Sequence, residues 1–185
     1  MLVEMNLNKA LEALEGPEII FEKTVVPREE PAPGHCPYLP EYDWMFLFER
    51  NLARKLDKWL EEHRRELVGA SGLLSEALSN AYCHGNRRDP AKPIHISVLK
   101  SHKGLLVRIK DAGAGFNFPE TFHKLQKGGN YYKLAGNGIK RMISSEVFAV
   151  FYTEGGRSFN LLYLFEGLRS LLPRSLSKPD ESPAG

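Results

Sequence analysis

Two pairs of short apolar segments, each pair closed by a tight turn, follow two helical stretches, and this order sharply limits the folds open to the chain. The first pair is residues 94–100 (IHISVLK) and 104–110 (GLLVRIK), joined around residues 101–103. The second is residues 147–153 and 158–165, and its connection, Glu154-Gly155-Gly156-Arg157, suits a hairpin. Upstream, residues 43–67 read as one long helix. Phe48, Leu52, Leu56, Trp59 and Leu60 recur every three to four positions, while Arg50, Arg54, Lys58, Glu62 and Arg65 form an opposite, solvated face. A second helix is predicted over residues 69–83, a strand over 18–26 and a short helix over 139–145. Helices are thus segregated from an antiparallel or mixed sheet. The expected class is α+β: a two-layer α/β sandwich with a mixed, mostly antiparallel sheet and helices on one face.

A chain of 185 residues that is 42% hydrophobic can bury one substantial core. One domain is therefore expected over residues 18–168, preceded by a helical extension over residues 1–17. Leu7, Ala10, Leu11 and Leu14 of that extension form an apolar stripe ended by Gly16-Pro17. Residues 27–40 are proline-rich and read as an irregular connection, and the Pro-, Ser- and Lys-rich residues 169–185 read as a disordered tail. A formal charge of +2, from 25 basic and 23 acidic residues, is too small for the field that general nucleic-acid or anionic-membrane binding requires. No leader pattern or membrane-length apolar run is visible, so a cytoplasmic protein is expected, without nucleic acid or membrane as partner. Cys36 and Cys83 lack metal-ligand spacing and are expected as free thiols.

Chemistry enters on the second helix, where Glu76, Asn80 and His84 follow at intervals of four and share a face. An amide oxygen suited to Mg²⁺ beside a carboxylate able to activate a hydroxyl is a useful pair, although the same spacing also describes two solvated residues. Asp111-Ala112-Gly113-Ala114-Gly115-Phe116 directly follows a strand. Gly113 and Gly115 permit close backbone approach to a flat ring, and the Asp111 carboxylate can accept from an exocyclic amine such as that of adenine. Asp and Gly are equally ordinary turn residues. Phe116 is expected in the core. Residues 134–139 (LAGNGI) place a glycine loop at a helix start, where free N–H groups favour an anion. With Lys140 and Arg141 next, this is neither a Walker loop nor the dinucleotide fingerprint.

Taken together, E-x-x-x-N-A-x-x-H-G (Glu76, Asn80, Ala81, His84, Gly85), D-x-G-x-G-F (Asp111, Gly113, Gly115, Phe116) and G-x-G-I (Gly136, Gly138, Ile139) resemble the N, G1 and G2 boxes of one superfamily. This is the GHKL, or Bergerat-fold, ATPase superfamily of gyrase B and the histidine kinases. Over residues 44–165 the chain is most similar to the bacterial anti-sigma-factor serine/threonine kinases.

The resemblance implies ATP and Mg²⁺ as cofactors and a role for each matching residue. Glu76 would be the catalytic base, Asn80 the Mg²⁺ ligand and Asp111 the adenine reader, with Gly113, Gly115, Gly136, Asn137, Gly138 and Ile139 lining the nucleotide. His84 would touch phosphate or ribose, or simply end its helix. Residues 121–135 would form a lid hinged at Gly128-Gly129, with Lys133 or Lys127 reaching the γ-phosphate. Where the superfamily has Gly-Thr after a strand turn, this chain has Gly156-Arg157-Ser158, and Ser158 is taken as the partial substitute near adenine. The lid carries Tyr131-Tyr132-Lys133 in place of the arginine and acidic residues common in the kinases. The implied partners are a small anti-sigma-antagonist protein as substrate and a sigma factor as competitor, with a homodimer left open. Alternatives are an ATP-gated interaction module or ATPase of the same fold without phosphotransfer, and a catalytic domain acting on a histidine in trans. His63 stands too close before Asn80 for a dimerising phosphoacceptor hairpin in cis and is expected at the surface.

Overall fold

The computed structural model describes residues 5–30, 42–69, 72–118, 120, 121, 123 and 145–167. Cys36, most of the proline-rich connection and the lid, Lys127, Lys133, Gly136, Asn137, Gly138, Ile139, the greater part of the 139–145 helix and the tail lie outside the described residues.

The predicted hairpins form and join one sheet. Its strands are β1 (Glu18–Val25), β2 (Ile94–Lys100), β3 (Gly104–Asp111), β4 (Ala149–Thr153) and β5 (Ser158–Leu164). They lie in the order β1-β2-β3-β5-β4, every pairing antiparallel. After β3 the chain passes to the far edge as β4 and returns as β5 beside β3. This brings the end of β3 next to the β4–β5 turn, with Lys110 paired to Ser158 and Ser158 to Thr153.

Among the described residues four α-helices accompany the sheet: α1 (Leu7–Leu14), α2 (Asp43–Leu60), α3 (Arg64–Leu67) and α4 (Leu73–Ser79). The long stretch predicted over residues 43–67 is divided by a 3₁₀ turn at Glu61–His63, across which an Arg64–Asp57 ion pair at 2.6 Å ties α3 to α2. Gly72 starts α4 in close quarters, since a Cβ there would stand 2.4 Å from the Leu67 carbonyl oxygen. Period-3.6 stripes on α2 and α4 and period-2 alternation on the strands meet in the main core. Leu52, Leu56, Leu60, Leu74 and Leu78 pack against Val25, Ile96, Val107 and Leu161 there. Arg50, Arg54 and Lys58 of α2, Glu62 of the 3₁₀ turn and Arg65 of α3 are exposed as expected. No described helix is long and apolar enough to cross a membrane.

The opposite face of the sheet is covered too. Asn6 caps α1 by accepting from the Lys9 N–H at 3.0 Å. The stripe on α1 buries Ala10 and Leu14 against Leu106, Phe151, Leu162 and Leu164. The short N-terminal helix is therefore docked on the sheet. His63, expected at the surface, packs edge-on against Phe148 and Tyr163, at the end of β5 remote from Ser158.

Leu14 is wholly buried, so Leu14→Ala should remove about 2–5 kcal/mol of stability. Urea unfolding at fixed temperature measures this, and a change of only a few tenths would show α1 to be a detachable extension.

Candidate functional site

The polar end of the sheet is shaped by how α4 ends. The helix does not stop at Ser79 but widens into a π turn, Asn80–Gly85, closed by the Asn86 N–H on the Ala81 carbonyl at 2.8 Å. The turn drives Gly85 against the end of β3. A Cβ on Gly85 would lie 2.3 Å from Asp111 Cγ, and one on Gly113 would lie 2.0 Å from the Gly85 carbonyl oxygen. Asn86 completes the joint. Fully buried, it accepts the Ala112 N–H at 2.9 Å and donates to the Lys92 and Pro93 carbonyls at 3.1 and 3.2 Å.

On its other side the loop after β3 is held by the β4–β5 turn. The Phe116 N–H donates to the Gly155 carbonyl at 2.8 Å, and the Asp111 N–H donates to the Arg157 carbonyl at 3.0 Å. Gly115 has φ +78°, and a Cβ on it would stand 2.1 Å from the Gly155 oxygen. Glycine is required there both by conformation and by the close approach.

Four side chains converge on this framework. Glu76 and Asn80 are half-buried on α4 and its π turn, Asp111 is buried at the end of β3, and Tyr152 reaches in from β4. The Tyr152 hydroxyl is hydrogen-bonded to Asn80 and feels the charges of Asp111 and Glu76. Burial pushes its phenol well above the usual range, the Asn80 bond pulls it back, and the two carboxylates raise it further. Desolvation raises the Asp111 carboxyl above its ordinary range. Hydrogen bonds from the Gly113 N–H, at 2.8 Å, and from its own N–H oppose this, as does the positive charge of Arg157. On the α2 side Glu76 and the exposed His84 line a cavity of about 610 Å³ with Tyr42, Phe46 and Cys83.

The structure thus brings Glu76, Asn80, Asp111, Gly113 and Gly115 to one end of the sheet, with His84 at the edge of the α2 cavity. Ser158 requires correction. Strand alternation puts it on the face of Asn160, Leu162 and Leu164, the last two of which pack beneath α1, whereas Phe159 and Leu161 face the main core. Its hydroxyl is turned away from Asp111. The residue beside Asp111 is Arg157, whose Cγ would lie 3.0 Å from a Cβ on Gly115. Phe116, expected in the core, is 36% exposed and meets Tyr152 edge-on at 5.0 Å between ring centroids. Asn86, Tyr152 and Arg157 were not anticipated from sequence. The phase of β4, in which Tyr152 follows the inward-facing Phe148 and Val150, is the signal that locates the second of these.

The donors present fit a metal–nucleotide. Among the described residues no group of three or more His, Cys, Asp or Glu side chains can hold a metal alone. An amide oxygen from Asn80 suits Mg²⁺ when phosphates supply its other ligands. The glycine-lined Asp111 suits a flat base bearing an amine. A family model described as a histidine kinase-like ATPase domain matches residues 50–155. No curated protein matches the chain.

The Asp111 titration carries a stability prediction. Because the folded carboxyl titrates above the ordinary 3.8, its contribution is greatest below that value and is lost as pH rises through the raised folded value. Asp111→Asn keeps an acceptor for the Gly113 N–H without the buried charge. Its melting temperature should exceed that of the unsubstituted chain at neutral pH, with the gap closing on acidification. A lower melting temperature at neutral pH would show that the charge itself holds the loop.

Proposed function

Because the chain belongs to the histidine kinase-like ATPase domain family, we propose that it binds Mg-ATP and transfers the γ-phosphoryl group to a serine or threonine hydroxyl. The acceptor would be a small regulatory protein, an antagonist that competes with a sigma factor for this chain. The observation that supports the reading is the convergence of Glu76, Asn80 and Asp111 across the Gly85–Gly113 joint, which suits them to act together as base, cation ligand and base-reading carboxylate.

Each residue has a definable task. Asp111 accepts from the exocyclic amine of adenine while its other oxygen holds the Gly113 N–H. Gly113 and Gly115 keep the loop low enough for the ring to lie against backbone. Asn80 offers its amide oxygen to the cation, which neutralises phosphate charge when bound. Glu76 takes the proton of the attacking hydroxyl as the new O–P bond forms and the bond from phosphorus to the β–γ bridging oxygen breaks, releasing ADP. The cavity on the α2 side reaches Glu76 directly and gives an acceptor hydroxyl a route to it.

With labelled ATP and a candidate antagonist, Glu76→Gln should lower phosphate transfer by about 10²–10⁴-fold, the range for a general base, while ATP binding persists. Stabilisation by Mg-ATP at 100 times its dissociation constant should amount to about 2.7 kcal/mol. Binding with no transfer to any protein would make the chain an ATP-gated interaction module, and no thermal shift would exclude the nucleotide altogether.

A further inference from the structure

The cavity on the α2 side has a shape and a set of charges that the nucleotide roles leave unused. It lies along α2 and α4, and two contacts fix its ends. The Cys83 thiol donates to the Tyr42 hydroxyl at 3.7 Å, and the Gly69 N–H donates to Glu49 Oε1 at 2.8 Å. All four residues line the cavity, so it has a Tyr42–Cys83 end and a Glu49–Gly69 end, about 10 Å apart along α2. Between them the wall is apolar, with Met45, Leu78 and the 45% exposed Phe46. Glu76, in the middle of α4, opens into this same stretch.

The charges are sorted along the cavity. Arg88 is fastened at the Tyr42 end: its N–H donates to the Tyr82 carbonyl at 2.8 Å, its carbonyl accepts from the Tyr82 hydroxyl at 3.5 Å, and the Tyr82 ring meets Tyr42 edge-on at 5.9 Å. His84 follows Cys83 directly, and both His84 and Arg88 are exposed. At the other end stands the Glu49 carboxylate, buried and held by the Gly69 N–H. An occupant therefore meets a guanidinium and an imidazole at one end, an apolar wall in the middle and a carboxylate at the other. Only the first end complements an acid.

The position of Glu76 sets the register. From Glu76 to Cys83 the helix climbs about 10 Å, a distance that about three residues of extended chain cover. We infer that this cavity docks an extended segment of the acceptor protein: its serine or threonine lies at Glu76, an apolar side chain beside it packs on Phe46, and an aspartate or glutamate about three residues away meets His84 and Arg88. This deepens the phosphoryl-transfer reading proposed above and rests on it. The apolar contact supplies affinity, and the carboxylate contact supplies register and selectivity.

Labelled synthetic peptides test this by fluorescence anisotropy. The first carries a single serine, a leucine next to it and an aspartate three residues away, and is made in both chain directions. Its controls have lysine for the aspartate or glycine for the leucine. With the unsubstituted chain, the better aspartate peptide should bind about five- to tenfold more tightly than its lysine counterpart, since an exposed ion pair is weak and the exchange turns attraction into repulsion of similar size. Arg88→Glu should reverse that order. Arg88→Gln should abolish it, and decides the matter should the first variant not fold. The glycine peptide, and separately Phe46→Ala, should each lose about tenfold in binding. Equal binding of the aspartate and lysine peptides, an order unchanged in the Arg88 variants, or binding of no peptide at all would overturn the inference, with the ATP-site reading left standing wherever Mg-ATP still gives its thermal shift. Absence of that shift would overturn the ATP-site reading instead, and the acceptor role of the cavity with it.

Discussion

The contact on which the site depends is the approach of Gly85 to the end of β3. Two backbones and a carboxylate meet there with no room for a single methyl group on either Gly85 or Gly113. The close approach lets one buried side chain, Asn86, satisfy an N–H of the glycine loop and two carbonyls before β2 at the same time. The distance between Asn80 and Asp111 follows from this, since each lies a few residues from the joint on an otherwise rigid element. The π turn is the helix's share of the arrangement. Widening the last turn moves Gly85 to β3 without moving the packed residues Leu74 and Leu78 of α4.

The site's electrostatics say what it can receive. Glu76 and Asp111 both act on the Tyr152 phenol, so two acidic groups border one space, and Asp111 remains there although burial disfavours its charge. Such a space favours donors and cations. The amide of Asn80, neutral and oxygen-bearing, adds a polar group beside these two acids without adding a third charge. Arg157 lies near Asp111 and tempers its burial, and the Nε of Arg157 donates back to the Glu154 carbonyl of its own turn at 3.1 Å.

Hydrophobic periodicity made most of the fold legible. The stripe of α1 and the alternation of β2 and β3 mark those elements nearly to the residue because each buries one continuous apolar face. Other features left no such trace. The 3₁₀ turn at Glu61–His63 falls between two helical stretches of unbroken apolar spacing, and the π turn keeps Glu76, Asn80 and His84 at the same sequence intervals as an α-helix. Motif spacing singled out Glu76, Asn80, Asp111, Gly113 and Gly115, which the structure gathers at one end of the sheet. Motif position singled out Ser158, one residue beyond the Arg157 that lies beside Asp111. A strand turns every side chain over when its phase shifts by one residue, and Phe159 and Leu161 in the core leave Ser158 facing away. Asn86 and Tyr152 act through partners distant in sequence, which no local pattern encodes.

The face of the sheet away from the site has its own part in the arrangement. Beneath α1 it is apolar, with Leu106, Phe151, Leu162 and Leu164, but toward the β4–β5 turn it becomes ionic. Arg108 donates to Glu154 at 3.0 Å and to the buried Asn160 at 3.1 Å, and Lys110 pairs with Glu154. The Lys110 bond holds the Glu154 carboxyl below its ordinary range. Asn160 in turn donates to the Phe151 and Ser158 carbonyls, at 3.2 and 2.9 Å, and to the Thr153 hydroxyl at 3.1 Å, fastening β4 to β5 just before the turn. That turn carries Gly155 and Arg157, whose carbonyls receive the Phe116 and Asp111 N–H groups on the other side of the sheet. The geometry of the glycine loop is therefore fixed from behind, by charges on a surface that a bound nucleotide would not touch. Exposed ion pairs contribute little to global stability, so the consequence of this network is local: it sets the height of one turn, and with it the backbone that borders Asp111.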